Sequence, residues 1–328
     1  MKLQRGAAIL TAMLTVALVA TLASATLWQQ WRAVEVEAAE RSRLQSAWVL
    51  IGALDWARLI LREDARKGGA DHLAEPWAVP LESARLSTFL AADRSDTQEA
   101  DATQEAFLSG QITDLQSRLN LANLVQNGKI DEPSQVAFAR LFELLGLAPS
   151  ELAVMTENLR LAQGVILGSA PAAPAATPAS TGTANGPLWP QTIDQLAWVG
   201  LSAQTIAALR PFVTILPVVT PVNLNTAPVE VIYACVSAFE LADAQALVSA
   251  RAVSHLETLA DASKLTGNAD AKFNAAQHSV SSRFFEVNGQ LRLEQSIVQE
   301  QSVLQRDGMN VKTLWRQRGV AAVVAPLQ

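Results

Sequence analysis

Cysteine is almost missing from this chain of 328 residues, where Cys235 stands alone. No intrachain disulfide is possible, and no thiolate metal cluster can be built from this chain. The setting Ile232-Tyr233-Ala234-Cys235-Val236 is apolar and reads as a buried structural thiol rather than a reactive one. Histidine is nearly as scarce. His72, His255 and His278 are scattered, form no His-x-x-x-His pair and read as surface or loop residues, so metalloprotease spacing is absent. No Gly-x-Ser-x-Gly elbow and no Gly-x-x-x-x-Gly-Lys phosphate loop occurs, and nothing in the chain argues for an enzyme. Basic surplus is lacking too. A net charge of −6 and a pI near 5.2 disfavour phosphate-backbone binding as a main activity.

What is present is apolar sequence: half of all residues are hydrophobic, enough for a sizeable core and more than one domain. After the basic start Met1-Lys2-Leu3-Gln4-Arg5-Gly6, the run from Ala7 to Trp31 carries no charge. Its first 21 residues, 7–27, span about 30 Å as a helix, the thickness of a hydrocarbon core. Lys2 and Arg5 orient such a span with its N-terminus in the cytoplasm and the bulk of the chain outside. The helical pattern continues, because Ala47, Leu50, Ile51, Leu54, Ala57 and Leu61 share one face, opposite Arg43, Asp55, Arg62 and Lys67. Lys67 followed by Gly68-Gly69 is a helix stop. One helix of about 60 residues, half in lipid and half packed on a globular body, is predicted. Two other readings stay open: a secretory signal cut after Ala23-Ser24-Ala25, giving Thr26 as the new N-terminus, and a plain signal anchor.

The start of the chain resembles a type III prepilin leader. Arg5-Gly6 stands directly before Ala7-Ala8-Ile9-Leu10, which in that class implies cutting by prepilin peptidase between Gly6 and Ala7, with methylation of the new terminus. Most members have Glu at mature position five, whose carboxylate meets a neighbouring subunit's terminal amine. Here that position is Thr11. The member that typically lacks the Glu is the minor pseudopilin K of type II secretion, also called general secretion pathway protein K.

Further segments resemble the same family. Asp114 to Leu124, with Arg118-Leu119-Asn120 and Asn123-Leu124, is similar to the family's passage from an early strand into an inserted helical domain. Locally, Asn120 and Asn123 can satisfy backbone donors where an extended segment gives way to helix. Val222-Asn223-Leu224-Asn225-Thr226-Ala227-Pro228, followed by a helix and then Leu241 to Arg251, is the strongest match outside the N-terminus. Here Asn225 or Thr226 is expected to cap a helix whose first turn contains Pro228 and Glu230. The same stretch also resembles helix-hairpin-helix modules of DNA-uptake proteins, but its hairpin from Ala234 to Leu241 has no glycine to bring backbone amides close to phosphate.

Between these landmarks, Trp77 to Glu82 and Ala106 to Ile112 read as short strands, and Ala92 to Gln104 as a surface loop. Helical spacing covers Glu132 to Leu167 and resumes after Pro190. The intervening 168–190 is rich in Ala, Pro, Thr and Ser, aperiodic, and reads as a flexible loop. Strand character returns at Ser279 to Val287, with Asn288-Gly289 expected as a hairpin turn, Asp307-Gly308 as another, and Asn310 to Arg316 as a final strand. Strands on both sides of a helical block predict a sheet interrupted by an insertion.

The resemblance implies an α+β chain: a pilin-like fold, with a long N-terminal helix on a small antiparallel sheet and a large all-α domain inserted in that sheet. It divides the chain into a leader (1–6), a transmembrane half-helix (7–27), a first pilin-like part (28–119), the inserted helical domain (120–278) and C-terminal strands (279–328). It implies a subunit of the inner membrane, with its bulk in the periplasm, at the tip of the type II secretion pseudopilus. Its partners there are prepilin peptidase, the I- and J-type minor pseudopilins and the major pseudopilin, with no nucleic acid. Some pseudopilins of the group bind calcium in loops of the sheet domain; Asp93 to Asp101 and Gly267 to Asp270 are oxygen-rich here but read first as solvated loops. No metal ligands are assigned.

Overall fold

The computed structural model describes residues 5–86, 106–166, 186–266, 270–293 and 296–320. The start of the leader, the Asp93–Asp101 stretch, most of the Ala- and Pro-rich loop and Gly267–Ala269 lie outside the described residues.

Helix α1 runs from Arg5 to Lys67, about 95 Å of continuous helix. Along its C-terminal half Ser46, Leu50, Leu54, Ala57 and Leu61 are buried, the three-and-four spacing of a single face. It stops where the sequence predicts: Gly68 and Gly69 take φ of +67° and +117°, and the Gly68 N–H closes the last turn on the Asp64 carbonyl.

The buried face lies on a five-stranded sheet ordered β1-β2-β9-β10-β11, formed by β1 (Leu81–Arg85), β2 (Ala106–Asp114), β9 (Phe284–Leu293), β10 (Ser296–Asp307) and β11 (Asn310–Val320), with all neighbours antiparallel. Leu54, Ala57 and Leu61 meet Trp77, Ile112, Phe285, Val287, Leu304 and Val311 in one cluster. Leu50 meets Leu108 and Leu291 in another. Strand β1 begins four residues later than the expected strand at Trp77, because Pro76–Ala78 forms a 3-10 turn. That turn buries the Trp77 indole edge-on against Phe285.

The expected turn at Asn288-Gly289 is a correction. Both residues sit in the middle of β9, where Gly289 faces Gly110 of β2, and the next connection falls at 294–295, outside the described residues. Asp307-Gly308 does turn, with Gly308 at φ +58° between the paired β10 and β11.

Between β2 and β9 comes the helical block. Its described residues include two-residue strands β3 (Leu119–Asn120), β4 (Val125–Gln126), β5 (Lys129–Ile130), β6 (Val213–Thr214), β7 (Val222–Asn223) and β8 (His278–Ser279), short 3-10 turns and six α-helices. These are α2 (Glu132–Leu144), α3 (Pro149–Ile166), α4 (Ala203–Leu209), α5 (Val229–Cys235), α6 (Leu241–Val253) and α7 (Leu259–Thr266). One large cluster, including Phe138, Leu141, Met155, Leu209, Ile232, Phe239 and Leu247, is its own core. A small cluster of Leu115, Leu216, Phe284 and Val303 joins that block to the other face of the sheet.

Candidate functional site: an anchor helix and a buried polar junction

Among the described residues the N-terminal half of α1 has no partner surface: Ile9, Leu10, Met13, Leu14, Val16, Leu18, Val19, Leu22 and Leu27 are all exposed. Its composition suits a hydrocarbon environment over a membrane's thickness. Hydroxyls along it cost little there. Thr15, Thr21 and Thr26 donate to the carbonyls of Ala12, Leu18 and Ala23, and Ser24 to Ala20, at 2.8–2.9 Å. Gly6 and Ala7 lie in the first turn of α1, and Thr11 is exposed one turn further on.

Where α1 ends, residues far apart in sequence meet behind the sheet. The Asp114 side chain caps a 3-10 turn through the Gln116 N–H at 2.7 Å and accepts from Ser282 Oγ (2.6 Å), Thr226 Oγ1 (2.5 Å) and Asn223 Nδ2 (3.1 Å). Burial nonetheless pushes its carboxyl up to about 6, the bonds from Ser282, Thr226 and the Gln116 N–H opposing that shift. Asn223 also donates to the Asp71 carbonyl at 3.2 Å. Asp71 in turn accepts the Ser282 N–H and, through both oxygens, Arg306 Nη2 at 2.5 and 2.6 Å. Arg306 Nη1 reaches Asp64 Oδ2 at 2.6 Å, so one guanidinium ties α1, the loop after it and β10 together.

This junction explains the sequence motifs as pins. Asn120 accepts from the Ala122 and Leu216 N–H groups and donates to the Val218 carbonyl, and Asn123 accepts from and donates to the Thr220 backbone. Asn225 pairs with both backbone groups of Leu256, at 2.8 and 2.9 Å. Neither Asn225 nor Thr226 caps α5, whose N-cap is Pro228 without a side-chain bond; their bonds go to distant backbone and to Asp114 instead. Asp71 and Arg306 carry no local signal. Two residues of the matched motifs lead toward them: Asn223, which joins Asp71, Asp114 and Ser282, and Asp114, which accepts from Ser282.

One histidine departs from the surface or loop reading, whereas His255 is exposed and His72 lies half-buried in the loop after α1. His278 is fully buried with its Nε2 3.3 Å from the Cys235 carbonyl, and burial lowers its pKa. His72 and His255, far apart in sequence, stack at 3.8 Å. Cys235 is the expected structural thiol: its Sγ lies 3.6 Å from the Ile232 carbonyl, and burial pushes it up to about 12.

Carboxylates of Asp64, Asp71 and Glu75 lie within 4.8 Å of one another, outside the loops expected to offer calcium ligands. Arg306 already supplies a cation to two of them. Glu75, pushed up to about 7 by burial, accepts from the His72 N–H and Trp77 Nε1. The α5–α6 hairpin offers no phosphate cradle. Its Val236 and Phe239 amides bond within the hairpin, Glu240 N–H is taken by Asp243, and Arg140 lies over Tyr233 and bonds the carbonyls of Tyr233, Ser237 and Phe239.

Anchor, sheet and pinned helical block describe a membrane-tethered structural subunit. Two family models described as type II secretion system (T2SS), protein K match residues 117–218 and 222–281. The type II secretion system protein K of Pseudomonas aeruginosa is 28% identical, over 98% of this chain and 95% of that protein. That of Klebsiella pneumoniae is 28% identical, over 97% of each. In fold, the chain superposes with a TM-score of 0.56 and 17% identity on a chain of the crystal structure of the GspK-GspI-GspJ complex from the enterotoxigenic Escherichia coli type 2 secretion system, covering 86% of this chain and 98% of that one. Over nearly its whole length the chain is similar to the type II secretion system protein K family.

Proposed function

We propose that this chain is a minor pseudopilin that sits at the tip of the type II secretion pseudopilus and initiates or caps its assembly. The observation that carries the reading is a helical block with its own core, inserted between β2 and β9 and locked to the end of α1 by Asp71, Asp114 and Arg306. A head of that bulk beside α1 obstructs stacking inside a shaft and suits a terminal position.

In this account α1 and the five-stranded sheet form a pilin-like body, with the helical domain at 120–278. Prepilin peptidase cuts between Gly6 and Ala7, and Ala7 becomes the methylated terminus. The apolar half of α1 holds the subunit in the inner membrane, with the bulk in the periplasm, until it packs on the helices of other pseudopilins. Thr11 offers no carboxylate to a subunit above, which suits a last position. The partners are I- and J-type minor pseudopilins, as in the complex of the structural relative. Mass spectrometry of the mature protein tests the processing: an N-terminal methyl-Ala7 supports it, whereas Thr26 as first residue means signal peptidase and overturns it.

A further inference from the structure

We propose that Trp28 and Trp31 form a contact with phospholipid headgroups that fixes the depth of α1 in the bilayer, an inference resting on the anchor reading above. The two residues are three apart, hence on one face of the helix, with ring centroids 5.4 Å apart. Both rings are open, 62% and 57% exposed. They stand where the chemistry changes: the uncharged apolar run ends at Leu27, and Gln29, Gln30 and Arg32 follow. From Ala7 to Leu27 the helix rises about 31 Å, so these rings emerge at the outer edge of the hydrocarbon.

Among the described residues, nothing in the globular body accounts for them. The first buried side chain of α1 is Ser46, about 22 Å further along the helix from Trp31. The intervening turns are solvated and carry Arg41–Glu37 and Arg43–Glu40 pairs, which places them in water. A large ring with one polar N–H is suited to the layer between, where its body meets acyl chains and its N–H meets headgroup oxygens. Arg32, one residue on, adds a cation at phosphate level. The sheet then stands on a stalk of about 22 Å above the headgroups.

The test reconstitutes the full-length protein, one copy per vesicle, in phosphatidylcholine brominated at acyl positions 6,7 or 11,12, beside a Trp28→Phe/Trp31→Phe variant. Both proteins are expected to float with the vesicles. The shallow bromines should quench up to about a quarter of wild-type fluorescence, two of eight tryptophans, more than the deep bromines do; the variant should lose that fraction. A floating protein quenched equally with and without the two rings, or quenched more by the deep bromines, overturns the headgroup contact and leaves the anchor standing. Quenching that is absent at one copy per vesicle, or present only in the variant, assigns the rings to another contact and overturns it as well. A wild-type protein that fails to float overturns the anchor itself.

Discussion

Gly289 lies directly opposite Gly110 in the β2–β9 pair, and a Cβ on Gly289 would stand 3.4 Å from Leu50 Cδ2 of α1. A Cβ on Gly110 would meet the Asn288 carbonyl oxygen at 3.1 Å, a backbone atom that cannot rotate away. Gly110 leaves room for the backbone of β9, and Gly289 leaves room for α1 to lie on the sheet. Gly110→Ala is expected to cost about 1–3 kcal/mol and Gly289→Ala less, since the Leu50 side chain can yield. Chemical denaturation of both variants checks the order; equal or reversed losses would count against this packing.

Arg306 is the only cation seen touching both Asp64 and Asp71 among the described residues. Arg306→Ala leaves Asp71 charged or forces it neutral in a buried site, and the expected loss is about 3–5 kcal/mol. Removing Asp71 as well should return part of that loss. A double-mutant cycle measures the coupling, and simple additivity would refute a bonded pair.

Stability should fall as the medium turns from mildly acidic to neutral. Asp114 and Glu75 are raised from ordinary values of 3.8 and 4.5 to about 6 and about 7, so the folded chain holds protons that the unfolded chain has lost. Their stabilising contribution is complete below about pH 4 and is lost as pH rises through 6 and then 7. His278 and His72, lowered from the ordinary imidazole value by burial, act in the opposite sense as pH rises toward 6.5 and reduce the slope. Exposed carboxyls such as Asp307 and Asp261 do so only at lower pH and are screened by solvent. Melting curves from pH 4.5 to 7.5 check the slope, which should flatten below pH 6 in Asp114→Asn; an unchanged slope would remove Asp114 from the account.

Asn225 is a buried bracket on the loop that precedes α7. Asn225→Ala strips both partners from the Leu256 backbone, with an expected loss of about 2–4 kcal/mol. Hydrogen exchange at the Leu256 amide should speed up more than exchange in α2. Retained protection there would show that another group holds the loop.

Features set by neighbouring residues were legible in the sequence. The apolar run, the Lys67-Gly68-Gly69 stop, the Asp307-Gly308 turn and the helices from Glu132 to Ile166 follow from local chemistry. Asn288-Gly289 misled because Gly289 pairs with Gly110 in mid-strand and faces Leu50 of α1, both distant in sequence. Asn225 and Thr226 look like caps for a similar reason: their side chains serve Leu256 and Asp114 rather than the adjacent helix. His278 reads as a surface or loop residue, since no spacing reveals that β7 and β8 pair and that its ring is buried. The polar junction draws on five segments between Asp64 and Arg306, and only folding brings them together.

The direct test of the central claim is where the subunit sits. Pseudopili assembled with a gold-tagged copy of this chain, imaged by electron microscopy, should carry a single label at one end. Labels spaced repeatedly along the shaft would contradict a capping head.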